Sequence, residues 1–177
     1  KNYQSLYSQL LEAPLKGGRD KQSITMMVTD RADLSPFVTL ASLHKGEPLS
    51  LKKGVIISSK LAQLAGVTDG DRLTIDGHSF KVAGITENYV GHFIYMDQTT
   101  YQKIYGKKAP ENSYLVQLQD PSQQEVQAVS RDMMALAAVK GVSQNASMIS
   151  LFTSVAISLD KTMMILVVVS ILLAIVI

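Results

Sequence analysis

From Met163 to Ile177 the chain is apolar at every position except Ser170. A helix that is apolar around its whole circumference must be enclosed, either by a protein shell or by lipid. Fifteen residues rise about 22 Å, short of a hydrocarbon core about 30 Å thick. Length alone fits a buried core helix. Composition decides otherwise: Val, Ile, Leu and Met occupy every face, which predicts the first part of a membrane helix.

The lead-in carries the same helical phase. Between Ser147 and Lys161, apolar residues stand at Met148, Leu151, Phe152, Val155 and Leu159, spaced 3, 1, 3 and 4 apart, one face of a helix. Asp160 and Lys161 follow at the level expected for lipid headgroups. No Gly/Ser linker separates the stripe from the apolar run. A rigid helix transmits displacement where a flexible linker absorbs it. Leu151, Phe152, Val155, Leu159, Asp160 and Lys161 are therefore the residues expected to couple an outer domain mechanically to the membrane.

The remainder is long enough for one domain or two small lobes. Seventeen basic and 15 acidic residues leave a net charge of +2, too balanced for a nucleic-acid binder. The chain has no cysteine, which excludes disulfides, thiolate metal sites and a cysteine nucleophile. With neither an initiator methionine nor a signal peptide at Lys1, it reads as a piece of a longer protein.

Tyr3, Leu6, Tyr7, Leu10 and Leu11 make a stripe that predicts a short entry helix, ended by Pro14 and Gly17-Gly18. Strands are expected over 24–30, 55–57, 72–75, 78–86, 92–96 and 113–119, with 37–43 either a strand or a short helix. Tyr114, Val116 and Leu118 form the buried side of the last of these strands. Ser58 is placed to cap a helix closed by Gly66. The turn containing Asp69, Gly70 and Asp71 leads into a strand, and Asp76-Gly77 is a strong hairpin signal. Asp97 caps another helix. A longer one is expected over 120–141, with Asp120 as cap and Pro121 in the first turn, followed by a short strand over 142–145.

This order predicts an α+β fold: a mixed β-sheet base packed with helices plus an inserted β-rich lobe, ending in the start of a transmembrane helix. The expected divisions are an entry helix and linker over 1–23 and a β-rich lobe over 24–106. An α/β base over 107–146, a connecting amphipathic helix over 147–162 and the membrane helix from 163 to 177 follow.

Chemistry is hard to find. Asp69, Asp71 and Asp76 occupy turns, where aspartate has an ordinary backbone role, and their spacing does not match a calcium loop. His78 and His92 lack an obvious third zinc ligand. Ser58 and Ser59 sit at a strand-to-helix turn without the Gly-x-Ser-x-Gly pattern. The segment 66–71 lacks the lysine of a phosphate loop. No catalytic residue, metal or cofactor is assigned. Tyr89, His92, Phe93, Tyr95, Tyr101 and Tyr105 gather enough aromatic surface to serve as an interface, although alternate members should pack into the core.

The segments 54-GVIISSKLAQLAGVTDGDRLTI-75 and 80-FKVAGITENYVGHFIYMDQTTYQKIYG-106, followed by 159-LDKTMMILVVVSILLAIVI-177, resemble an extracellular domain of the FtsX/MacB-type permeases of bacterial ABC systems, in particular the large permeases of Gram-positive bacteria. That resemblance implies a cell-membrane protein whose residues before about 160 lie outside. It also implies a separate cytoplasmic ABC ATPase, reached through membrane segments beyond this chain. Contact with the lipid bilayer, and with a second copy or a second outer domain of the same permease, is implied as well. The output would be export of peptide, lipid or lipoprotein, or transmission of ATP-driven motion. The rival reading is a static, membrane-anchored extracellular protein-binding module.

Overall fold

The structure, a computed structural model, describes residues 2–15, 20–31, 34–43, 46–88, 91–120 and 122–176. For residues 145–153 and 175–176 it describes the backbone path alone. The chain divides into two compact units, 1–117 and 118–177.

The first unit is built on a mixed seven-stranded sheet among the described residues, in the order β4-β5-β3-β6-β2-β1-β7. Its strands are β1 (Asn2–Pro14), β2 (Lys21–Thr29), β3 (Val55–Ser58), β4 (Arg72–Ile75), β5 (His78–Thr86), β6 (Phe93–Asp97) and β7 (Ser113–Gln117). β6 runs parallel to β2, and β3 parallel to β5; the other neighbouring pairs are antiparallel. The strands expected in a lobe over 24–106 and those outside it, β1 and β7, share this one sheet.

Residues 3–14, read above as a helix, are a strand. Their apolar residues fit a helical stripe, but two distant partners claim the backbone: β2 pairs with Tyr7 to Pro14 and β7 with Asn2 to Leu6. Leu11 is buried while Leu10 is 63% exposed, because adjacent strand residues point to opposite faces.

Two helices, α1 (Ser59–Ala65) and α2 (Gln98–Tyr105), cover one face of the sheet. Leu61, Ala62 and Tyr101 from these helices pack with Ile24, Met26, Val55, Ile57, Phe80, Val82, Ile94 and Met96. On the other face Leu34, Leu40 and Leu51 pack on Ile56 and Tyr95. The segment 37–43 is neither strand nor helix; it adds isolated bridges at Ala41–Pro48 and Ser42–Thr86.

Local signals set the element ends. Asp97 Oδ1 accepts from the Thr100 backbone N–H at 2.7 Å and so caps α2. Gly66 takes the left-handed conformation that closes α1, with φ +63°. Asp76 and Gly77, at φ +48° and +75°, form the turn between β4 and β5. Ser58 caps nothing through its side chain. Its hydroxyl donates to the Gly91 carbonyl at 3.3 Å and accepts from the Phe93 N–H at 3.0 Å, fastening the end of β3 to the start of β6.

The second unit holds α3 (Gln123–Met134) and α4 (Asn145–Val176). α3 starts later than the sequence suggests. Ser122 is its cap, accepting from the Glu125 N–H at 3.4 Å, while Asp120 accepts from the Ser122 N–H at 2.8 Å. Pro121 lies outside the described residues. The strand expected over 142–145 does not form: the segment is irregular up to Asn145, which begins α4.

Candidate functional site

β6 and α2 place the aromatic set. Phe93 and Tyr95 alternate along β6 with Ile94 and Met96, so the two pairs face opposite sides of the sheet. The Phe93 and Tyr95 rings stack at 5.9 Å, with only 14° between their planes, and Tyr95 is buried among Leu34, Leu40, Leu51 and Ile56. On the helix-covered face, Tyr101 and Tyr105 are one turn apart on α2 and stack at 4.4 Å. Tyr7 of β1 meets Tyr101 edge-on at 5.7 Å, and His78 of β5 lies 4.3 Å from Tyr105. The structure therefore brings Tyr101 and Tyr105 together, and Phe93 and Tyr95 together, in two groups on opposite faces. Tyr89 lies outside the described residues.

His92 sits at the entrance to β6. Its Nδ1 is 3.0 Å from the Ser23 carbonyl and its own carbonyl accepts from the Thr25 N–H at 2.8 Å, tying it to β2. Its Nε2 is buried and has no hydrogen-bond partner among the described residues.

Burial raises the pKa of the Tyr95, Tyr101 and Tyr105 hydroxyls. Withdrawal from water pushes the Tyr105 hydroxyl up to about 12, with the Tyr101, Asp76 and Tyr7 charges adding to the effect. Burial likewise raises Tyr95 and Tyr101. Such groups pack and hydrogen-bond; they do not exchange protons at neutral pH. The Tyr105 hydroxyl reaches the Met26 sulfur at 3.9 Å.

The turn residues do backbone work. Asp71 accepts from the Thr68 N–H at 2.7 Å and the Thr68 hydroxyl at 2.8 Å, and these bonds hold its carboxyl below the usual carboxylate value. Asp69 and Gly70 (φ +89°) complete that turn. Among the described residues no three His, Asp or Glu side chains come close enough to hold a metal ion.

Of the coupling residues, Val155, Leu159, Asp160 and Lys161 are exposed on α4; the side chains of Leu151 and Phe152 lie outside the described residues. The continuous helix lengthens the apolar stretch to 21 residues, Ser154–Ala174. That is about 32 Å, enough to cross a bilayer core. Every residue in it is exposed. Ser154, Ser158 and Thr162 recur at a spacing of four along one face.

Sequence reasoning missed one surface. Tyr3 and Tyr114 are each 65% exposed, and their rings meet edge-on at 6.4 Å. Val116, directly opposite Tyr3 in the register of β1 and β7, is exposed beside them. Tyr114 and Val116 were expected on the buried side of this strand. Instead Leu115 turns inward, packing toward Tyr95 and its neighbours. The Leu at the centre of Ser113–Gln117 was the available signal.

Comparison with known proteins completes the picture. No curated protein matches the chain. A solved structure, the extracellular domain of the noncanonic ABC-type transporter YknZ from Gram-positive bacteria, is similar at 15% identity. That match covers 72% of this chain and 70% of the other, with a TM-score of 0.47. The MacB-like periplasmic core domain family matches residues 6–136. With its mixed α+β sheet followed by an exposed, span-length apolar helix, the chain belongs to the MacB-like periplasmic core domain family, as an extracellular domain of an ABC-type transporter permease.

Proposed function

We propose that this domain contacts a substrate or protein partner outside the membrane and relays ATP-driven motion between that contact and the rest of the permease. The output would be export of a peptide, lipid or lipoprotein, or mechanical signalling to an outer-surface partner. One observation carries the reading: α4 runs unbroken for 32 residues, from Asn145 through Val176. At 1.5 Å per residue it is about 48 Å long, more than a bilayer core requires. A helix that continues past the membrane surface moves as a lever, whereas a flexible tether would dissipate the displacement. The family implies an ATPase partner; the motor in this proposal is a cytoplasmic ABC ATPase reached through the permease's other segments. The half-buried His92, Phe93 and Tyr105 are the members of the aromatic set with surface left for an outer contact.

The test is replacement of Ile157 through Asp160 by glycine in the full permease, reconstituted with its ATPase in lipid. Glycine costs a helix interior about 1 kcal/mol per residue, so four adjacent substitutions soften the lever near its membrane entry. Transport per ATP hydrolysed should collapse while nucleotide binding stays intact. Unchanged coupling would leave the domain a static anchored binding module.

A further inference from the structure

The two edges of the sheet are built differently. β4 is a four-residue edge strand that begins with Arg72 and is flanked by Asp69, Asp71 and Asp76. Short strands and charge are what blunt a sheet edge against further pairing. β7, at the other end, pairs with β1 alone among the described residues. Its sequence, Ser-Tyr-Leu-Val-Gln, contains no charge and no proline, and its pairing with β1 shows no register shift. Beside this unguarded edge lies the exposed cluster of Tyr3, Tyr114 and Val116.

We infer that β7 is a self-association edge, pairing antiparallel with β7 of a second copy of this chain. The strand is self-complementary about Leu115. A two-fold axis through that residue and perpendicular to the sheet places Leu115 against Leu115 on one face. On the other face it places Tyr114 against the partner's Val116, twice. Aromatic against β-branched is among the more favourable cross-strand pairings, and Tyr3 with Val116 already forms one such pair within the chain. Ser113 meets Gln117, polar against polar. Charge is balanced at the ends: in this register Asp120 falls opposite the partner's Pro110, between exposed Lys108 and exposed Glu111, and Glu111 falls opposite Gln119. Charge therefore does not oppose the pairing that the apolar residues favour.

Five residues a side bury less area than a stable interface between freely diffusing proteins needs. Copies anchored in one membrane by α4 meet at a high effective concentration, which makes a short strand pairing sufficient. This inference does not depend on the relay proposed above, since a static anchored module would pair in the same way.

The experiment is disulfide mapping of the full chain in lipid vesicles. The native sequence has no cysteine, so each introduced thiol is read alone. Residues facing each other across antiparallel strands have Cα atoms about 4.5–5.5 Å apart, within disulfide reach. Under mild oxidation Leu115→Cys should convert mostly to dimer, and Leu64→Cys, exposed on α1, should stay monomeric. Ser113→Cys and Gln117→Cys should each stay monomeric alone and crosslink when mixed. Adding Val116→Lys to Leu115→Cys should abolish the dimer band. The inference is overturned if Leu115→Cys crosslinks no better than Leu64→Cys, if Ser113→Cys links to itself as readily as to Gln117→Cys, or if Val116→Lys leaves the band unchanged.

Discussion

Phe80 in β5 and Leu166 in α4 are both large apolar side chains, yet Phe80 is fully buried and Leu166 is 60% exposed. The sheet unit satisfies its apolar residues internally. It alternates them along strands and covers both faces, one with α1 and α2, the other with the segment around Leu34, Leu40 and Leu51. From Ser154 to Ala174 α4 satisfies none of its own, since every side chain there is exposed. The same residue types serve two solvents: protein interior, where shape fit matters, and lipid, where only apolarity does.

That contrast breaks most visibly by truncation. Phe80→Ala removes the largest fully buried side chain of the sheet unit and should lower unfolding stability by about 3–5 kcal/mol. Leu166→Ala should leave unfolding of the sheet unit within about 0.5 kcal/mol of the parent chain. Denaturant titration of the chain in lipid, followed by tyrosine fluorescence from the sheet unit, reads both. Equal losses would mean that α4 packs as part of the same core.

A subtler break tests the fit of the sheet itself. Gly54 enters β3 with φ +146°, and a Cβ there would stand 2.5 Å from the Lys81 carbonyl oxygen, next to the register shift between Val55 and Ile56. Gly54→Ala should cost about 1–3 kcal/mol in the same titration. Gly141→Ala is the control, because a Cβ at Gly141 meets nothing within 4 Å. A tolerated Gly54→Ala would show that β3 and β5 approach less closely than described.

How much of this was legible in the sequence follows from the range of each interaction. The Asp76-Gly77 turn, the Asp97 cap, the Gly66 stop and the helical phase of α4 are set by neighbours within a few residues, and all could be read. β1 could not: its helical-looking stripe is overruled by β2 and β7, and the latter lies more than a hundred residues on. Ser58 stands at the N-cap position of α1 as expected, but its hydroxyl bonds to Gly91 and Phe93 instead, partners fixed only once β6 lies beside β3. The aromatic set was visible as composition but not as geometry. Strand alternation sends Phe93 and Tyr95 away from Ile94 and Met96, which separates them from Tyr101 and Tyr105. The meeting of Tyr3 and Tyr114 follows from the pairing of β1 with β7, which no local pattern states.

Alkaline pH separates the two regions more gently. Tyr105 has its folded pKa raised to about 12 from an unfolded value near 10. A raised pKa contributes stability that is full below the unfolded value and is lost as pH rises through the folded one. The sheet unit should therefore weaken between about pH 10 and pH 12, and Tyr105→Phe should flatten that part of the profile. Far-ultraviolet dichroism at fixed denaturant reports it; a slope unchanged in Tyr105→Phe would assign the alkaline loss to other groups.

The smallest expected effect lies at the acid end. Asp71 is fully exposed, and its carboxyl is depressed chiefly by the Thr68 backbone N–H and then by the Thr68 hydroxyl. The sign is opposite to that of Tyr105. A depressed folded pKa contributes stability that is present above the unfolded value, about 3.9, and is lost as pH falls through the lower folded value. Acid should therefore loosen the 68–71 turn that leads into β4. Asp71→Asn keeps an oxygen for the Thr68 N–H but carries no charge, so it should lower stability slightly at pH 7 and remove the acid-dependent part. Amide hydrogen exchange at Val82, whose N–H donates to the Asp71 carbonyl at 2.9 Å, and at Asp71, whose N–H donates to the Thr68 carbonyl at 3.1 Å, gives a local reading that the apolar helix cannot mask. Lower protection below about pH 4, measured against the intrinsic exchange rate at the same pH, in the parent chain and absent in Asp71→Asn, is the expected result. The same acid response in both would mean that the Thr68 contacts do not hold this end of the sheet.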